Sequence, residues 1–200
     1  YTFGLTFDFF VDWAINRISP YVWIKRILLP TYTYDEFIGK LDFEMEKEFG
    51  KDYLCRLGRF ATGYDMQVQF IVFHDELDWA NELIIVSLSF KEGHYSFSPQ
   101  KYSLSEFKEL IKSHSGGPVS IGSKGLIYGT SRLECSLSKT DSLYPGDADL
   151  LLLNEDNKAV CILEFKKHTL SSPISEQCFT NYYPRPDGRK YKRLALLRDY

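Results

Sequence analysis

The sequence predicts a mixed α/β protein, and three observations carry that prediction. Apolar residues recur at helical spacing in some segments, and alternate or run continuously in others. Clusters of Gly, Pro, Asn, Asp and Ser punctuate the change of period. The chain is 44% hydrophobic and 26% charged, which places it with globular proteins rather than disordered ones. Its 200 residues suffice for one large domain or two small ones, and 15 Phe and 14 Tyr supply large side chains for a core.

Taken in order, residues 5–18, LTFDFFVDWAINRI, put Phe7, Phe10, Val11, Ala14, Ile15 and Ile18 on one helical stripe that Pro20 ends. Residues 34–49 repeat apolar side chains at 37, 38, 41 and 45, with acids on the outer face and Gly50 as the stop. The period then shortens. YDMQVQFIVF (64–73) and NELIIVSLSF (81–90) read as strands, and GHYSFS (93–98) pairs with the second across KEG. Ser103 and Glu106 have capping-box spacing, opening a helix that Gly116–Gly117 closes. SGGPVSIGSKG (115–125) is the most hinge-like stretch and divides an α/β region at 1–115 from a second region at 116–200.

Several function classes drop out. There is no phosphate-cradling glycine loop, no H-E-x-x-H and no nucleophile elbow. No apolar run reaches the roughly 18 residues of a membrane span, and Lys25 and Arg26 break the greasiest piece, YVWIKRILLP. No signal peptide is visible, and a start without Met reads as a fragment. Cys55, Cys135, Cys161 and Cys178 lack zinc-ligand spacing, and Cys161 reads as a buried thiol. That points to a reducing, intracellular compartment, cytoplasmic or nuclear, and to no membrane partner. His74, Asp75 and Glu76 are consecutive, which disfavours convergence on one ion, and His94 and His114 read as turn residues.

Charge is unevenly distributed. Residues 164–200 hold eight Lys/Arg against four acids, net +4, whereas the rest of the chain holds 16 against 23, net −7. A basic segment on an acidic body points to a local polyanion site or to a solvated helix face.

The chemistry concentrates in YPGDADLLLLNEDNKAVCILEFKKH, residues 144–168. DLLLL (149–153) and AVCILEF (159–165) read as strands covered on both faces, joined by a turn at NEDN. Fold-back of that hairpin brings Glu164, 15 residues on, beside Asp149, while Lys166 shares a strand face with Glu164. Two carboxylates can hold Mg²⁺ in an oxygen-rich site, with Mn²⁺ as a substitute. A lysine beside them can orient or deprotonate water, or stabilise charge growing on a phosphate. The set suits metal-assisted phosphodiester hydrolysis.

PGDAD followed by EFK resembles the PD-(D/E)XK nuclease superfamily, over about residues 125–200. The resemblance implies a restriction-endonuclease-like core, a central mixed β-sheet flanked by helices, preceded here by the additional α/β region. It implies Asp149, Glu164 and Lys166 as catalytic residues, with Asp149 and Glu164 on the metal. Asp147, the literal Asp of Pro-Gly-Asp, competes with or joins Asp149, and Glu134 is a further metal ligand in GTSRLECSLSK. Nucleic acid, DNA ahead of RNA, is the implied substrate. Lys167 and His168, with Arg189, Lys190, Lys192 and Arg193 at the start of a basic helix over 187–200, are its expected phosphate contacts. Tyr182 and Tyr183 either pack in the core or stack on an unpaired base, and Gln177 is a further polar candidate. Recognising a protein partner, occluding the cleft and reading a nucleic-acid end all remain open as roles for residues 1–115. Two other readings stand beside the nuclease: a nuclease-fold binding module without catalysis, and a hydrolase of small phosphorylated substrates. A plain hairpin whose Asp, Glu and Lys form a surface ion pair is the structural alternative.

Overall fold

A computed structural model describes residues 3–76, 82–119, 131–137, 140–142, 144–166, 173–185 and 187–200. Among the described residues seven strands form one mixed sheet: β1 (Phe3–Asp12), β2 (Arg17–Leu28), β3 (Gln67–His74), β4 (Glu82–Lys91), β5 (His94–Ser103), β6 (Gly146–Leu153) and β7 (Ala159–Leu163). Their order across the sheet is β5-β4-β3-β2-β1-β6-β7. Among the described strands only the β2–β3 pair is parallel, and the helices α1 (Tyr34–Gly39), α2 (Leu41–Phe49) and α3 (Lys51–Gly63) form the crossover it requires. The remaining described helices are α4 (Leu104–His114), α5 (Arg132–Leu137) and α6 (Gly188–Arg198). Because β1 lies between β2 and β6, strands from 1–115 and 116–200 are hydrogen-bonded neighbours in the same sheet.

Both faces of the sheet are covered. One carries Leu5, Phe7, Phe9 and Val11 of β1 and Ala148, Leu151 and Leu153 of β6, packed beneath α2, α3 and Leu194 and Leu197 of α6. The other carries Phe10, Trp23, Ile71 and Ile85 beneath Phe107 and Ile111 of α4 and Leu133 and Leu137 of α5. Burial of such side chains, about 1.5–3 kcal/mol each, is the main stabilising contribution.

Three expectations about the strands are corrected. Residues 5–18 are not a helix. Leu5, Phe7, Phe9 and Val11 alternate onto one face as β1, and the chain turns at 13–16, with Asn16 at φ +53°, into β2. Pro20 does not end an element. Ser19, Pro20 and Tyr21 stand together opposite Phe10 where the β1–β2 register shifts, so the missing N–H interrupts no ladder bond there. Finally, β7 is not covered on both faces. Among the described residues it is an edge strand, with Val160 63% exposed and Cys161 a free, exposed thiol.

Other elements follow their signals. Gly50, at φ +81°, closes α2 and opens α3, and Lys40 breaks the 34–49 segment into α1 and α2. The hairpin between β4 and β5 turns through Glu92 and Gly93, both at positive φ. Ser103 and Glu106 form the reciprocal capping box. His114 is no turn residue: it ends α4, buried, stacked on Tyr21 at 3.6 Å, and burial lowers its pKa to about 4. No helix among the described residues is long and apolar enough to cross a membrane.

Candidate active site

Hairpin register sets the site. Leu150 pairs with Leu163, so Asp149 and Glu164 come together where β6 begins and β7 ends. A bulge helps to aim them. Ala148 pairs with Phe7 and Leu151 with Leu5, leaving Asp149 and Leu150 together opposite Thr6. Such an extra residue re-aims side chains, and here Asp147 and Asp149 both reach the same ammonium group. Asp149 is further fixed by the Phe165 N–H, which donates to its Oδ2 at 2.7 Å.

That ammonium is Lys190, from the first turn of α6. Its Nζ lies 2.7 Å from Glu164 Oε1, 3.1 Å from Asp147 Oδ2 and 3.8 Å from Asp149 Oδ1. Lys166 Nζ sits 2.9 Å from Glu164 Oε1 and donates to Asp187 Oδ2 at 2.7 Å. Asp187 occupies the N-cap position of α6 but makes no side-chain cap, because its carboxylate serves Lys166 instead. The aromatic rings of Tyr182 and Tyr191 lie 5.7 and 5.6 Å from the Lys166 ammonium.

The Glu164 carboxylate distinguishes this cluster from a surface ion pair. Its side chain is only 12% exposed, and both oxygens are buried. Lys166 and Lys190 both approach its Oε1, at 2.9 and 2.7 Å, and that contact helps to raise the pKa of each. A buried carboxylate carries a desolvation cost, which the two ammonium groups offset here and which a metal ion would offset in their place. Among the described residues no three acidic, His or Cys side chains already converge on one metal-sized point. The carboxylates are drawn onto the lysines.

Charge states follow from these contacts. Burial alone would lower Lys166, but Asp187 and Glu164 outweigh it and hold the group above the usual lysine range. Lys190 is likewise opposed by burial and raised by Glu164 and Asp147. Asp149 is raised, first by burial and then by the Glu164 carboxyl against it, despite the Phe165 N–H and Lys190. Asp147 is lowered, since Lys190 overcomes its burial. Lys166 is therefore a cation in this arrangement, suited to stabilising charge rather than to taking a proton.

Glu134 lies on α5 in an adjoining cluster. It is buried and accepts from Lys25 Nζ at 2.5 Å. Lys25 also lies 3.7 Å from Asp8 Oδ2, which accepts from the Tyr144 hydroxyl at 3.1 Å. Asp8 is the register partner of Asp147, so the two clusters adjoin across the β1–β6 seam. Burial raises Asp8 to about 6, against the pull of Lys25 and Tyr144, with Asp147 and Glu134 adding to the rise.

A raised folded-state pKa means that this group stabilises the fold at low pH and loses that contribution as pH rises through about 6. The shift from 3.8 corresponds to about 3 kcal/mol. Asp8→Asn is expected to gain that much stability on the wild type between pH 4 and pH 7. Urea unfolding across that range reads it, and a pH-independent difference would contradict the assignment.

Of the expected phosphate contacts, Lys167 and His168 lie outside the described residues. Arg189, Lys192 and Arg193 surround the ring of Trp13, 4.9, 5.5 and 5.7 Å from its centroid, as a basic and aromatic patch on α6. A Cβ on Gly146 would stand 2.8 Å from Arg193 Cδ, so the glycine of PGDAD leaves room for that arginine across the start of β6. Lys190 turns away from the patch into the carboxylates. Gln177 lines a recess of 350 Å³ with Lys166, Tyr182 and Tyr191, and Tyr183 stacks on Phe179 at 5.4 Å.

Sequence reasoning passed over Asp8, Lys25, Tyr144, Trp13 and Asp187. Asp8 carried a signal, as an acid inside an apolar run, but the helical reading of 5–18 turned it outward. Asp187 ahead of a basic helix reads as a cap, and nothing local reveals its pairing with Lys166. No family model, curated protein or solved structure matches the chain.

Proposed function

We propose that the chain is a metal-dependent nuclease of the PD-(D/E)XK type, its restriction-endonuclease-like core built on β6, β7, α5 and α6. It hydrolyses phosphodiester bonds of nucleic acid, DNA ahead of RNA. The observation that carries this reading is the buried Glu164 carboxylate, lying against Asp149 and between the ammonium groups of Lys166 and Lys190.

Asp149 and Glu164 are the residues that would hold Mg²⁺, with Asp147 beside them. When bound, the ion supplies polarisation of the scissile phosphate and a more acidic water. Lys166, kept cationic and oriented by Asp187, stabilises charge on the phosphate. A cleft of 920 Å³ opens from Glu164 between Phe179, Tyr183 and Tyr191, with Lys192 and Arg198 among its walls. Its aromatic walls suit bases and its cations suit the backbone. The patch of Arg189, Lys192 and Arg193 on Trp13 provides phosphate contacts on the same helix.

A second reading, a binding module without catalysis, is favoured by one observation: the carboxylates are already neutralised by lysines of the same chain. Incubation with single-stranded, duplex and branched DNA and with RNA, in Mg²⁺, Mn²⁺ or EDTA, separates the two. Cleavage that requires the divalent ion supports the nuclease. Cleavage that persists in EDTA sinks it, and tight binding without cleavage selects the module.

A further inference from the structure

We infer that Lys190 is a metal-displaceable counter-ion that couples divalent-ion binding to nucleic-acid binding. The inference rests on the metal-dependent reading above and adds to it a linkage between two ligands.

The geometry supplies the argument. Asp147, Asp149, Glu164 and Asp187 face Lys166 and Lys190, four carboxylates against two ammonium groups. The two lysines are not equivalent. Lys166 has Asp187 as a partner of its own, at 2.7 Å, and keeps it whatever enters between Asp149 and Glu164. Among the described residues, the acids that Lys190 touches are those the ion would use: Glu164 at 2.7 Å, Asp147 at 3.1 Å and Asp149 at 3.8 Å. A divalent cation and an ammonium cannot share Glu164 Oε1 without strong repulsion. Lys190 is the one that leaves.

Where it goes is limited by its tether. Lys190 belongs to the first turn of α6, and its neighbours Arg189 and Arg193 already crowd Trp13 with positive charge. Lys192 lies on the same ring, and a further free cation at this end of α6 is best neutralised by an anion from outside; a phosphodiester fits. Without the divalent ion, Lys190 is neutralised internally and contributes little to polyanion binding. With the ion, it becomes a phosphate ligand. Reciprocity then requires nucleic acid to tighten metal binding by the same factor.

The test uses three purified variants beside the wild type: Lys190→Met, Glu164→Gln, and Lys192→Met as a control for charge alone. In calorimetric titration Lys190→Met is expected to bind Mn²⁺ about ten-fold more tightly, the scale of one close charge pair removed as a competitor. Lys192→Met should leave Mn²⁺ affinity unchanged, and Glu164→Gln should lose it. Oligonucleotide binding, read by fluorescence anisotropy against salt, provides the second measurement, with Ca²⁺ as the divalent ion. In Ca²⁺ the log–log salt slope of Lys190→Met should fall short of the wild type by about one. Without divalent ion the two slopes should coincide.

Equal or weaker Mn²⁺ affinity in Lys190→Met, with Glu164→Gln still deficient, overturns the inference and leaves the nuclease reading standing. The same slope deficit with and without Ca²⁺ also overturns it, making Lys190 an ordinary phosphate contact. Absence of Mn²⁺ binding from wild type and Lys190→Met alike removes both readings. Should Lys190→Met fail to fold, Lys190→Gln, uncharged but still a hydrogen-bond donor to the carboxylates, is expected to give the same results.

Discussion

On the proposed metal-dependent nuclease reading, Glu164→Gln is expected to abolish divalent-ion binding and to lower cleavage by roughly 10³-fold or more, the rate equivalent of the several kcal/mol a bound metal contributes. The amide keeps the shape of the side chain and removes its charge. Lys166 retains Asp187 and Lys190 retains Asp147, so neither ammonium is left without a partner and the fold survives. That separates this substitution from the truncation of an isolated buried ion pair, which costs about 3–5 kcal/mol. Lys166→Met provides the contrast. It leaves Asp149 and Glu164 in place, so metal binding remains while the rate falls. Calorimetric titration with Mn²⁺, beside cleavage rates for both variants, reads the split. Undiminished cleavage by Glu164→Gln would remove Glu164 from the chemistry.

The site was more legible in the sequence than the fold around it. Asp149, Glu164 and Lys166 meet through a single hairpin, and a hairpin is local: a turn and two apolar runs fix its register within 20 residues. Lys190 was recognisable as a cation but not as a partner of Glu164, because α6 approaches the hairpin through tertiary packing alone. The N-terminal misreading has a different origin. Residues 5–18 satisfy two periods at once, since Phe7 and Val11 belong both to a helical stripe and to the alternating set Leu5, Phe7, Phe9 and Val11. Composition arbitrates, because aromatic and β-branched residues favour a pleated surface. What no local signal carries is that β1 pairs with β6, some 140 residues away, setting Asp8 opposite Asp147. Gly58 shows the same limit: a Cβ there, inside α3, would stand 2.5 Å from Phe90 of β4, a close approach that no local signal carries.

Trp23→Ala is expected to have the largest effect on stability, about 3–5 kcal/mol, from lost burial plus the cavity left behind. Trp23 is fully buried in the centre of the sheet. Its ring stacks on Phe107 of α4 at 5.0 Å, meets Phe10 edge-on at 4.6 Å and reaches Tyr144 at 6.0 Å. Its Nε1–H donates to Gln69 Oε1 at 2.8 Å, so truncation also strands a polar partner on β3. A domain of this kind has roughly 5–15 kcal/mol in total, and roughly a fifth or more of that rests on one side chain. The loss reaches the site as well. Trp23 is the register partner of Asp8, and Tyr144, which it touches, donates to the Asp8 carboxylate. Water entering the vacated space would rehydrate Asp8 and return its pKa toward the ordinary carboxylate value. Trp23→Phe keeps the stack on Phe107 and is expected to cost less than Trp23→Ala while leaving Asp8 raised. Urea unfolding of both variants at pH 4 and pH 7 measures the two effects together. If Trp23→Ala lost no more stability than an exposed substitution, or kept the wild-type pH dependence, Trp23 would be neither the support of this face nor the wall that keeps Asp8 dry.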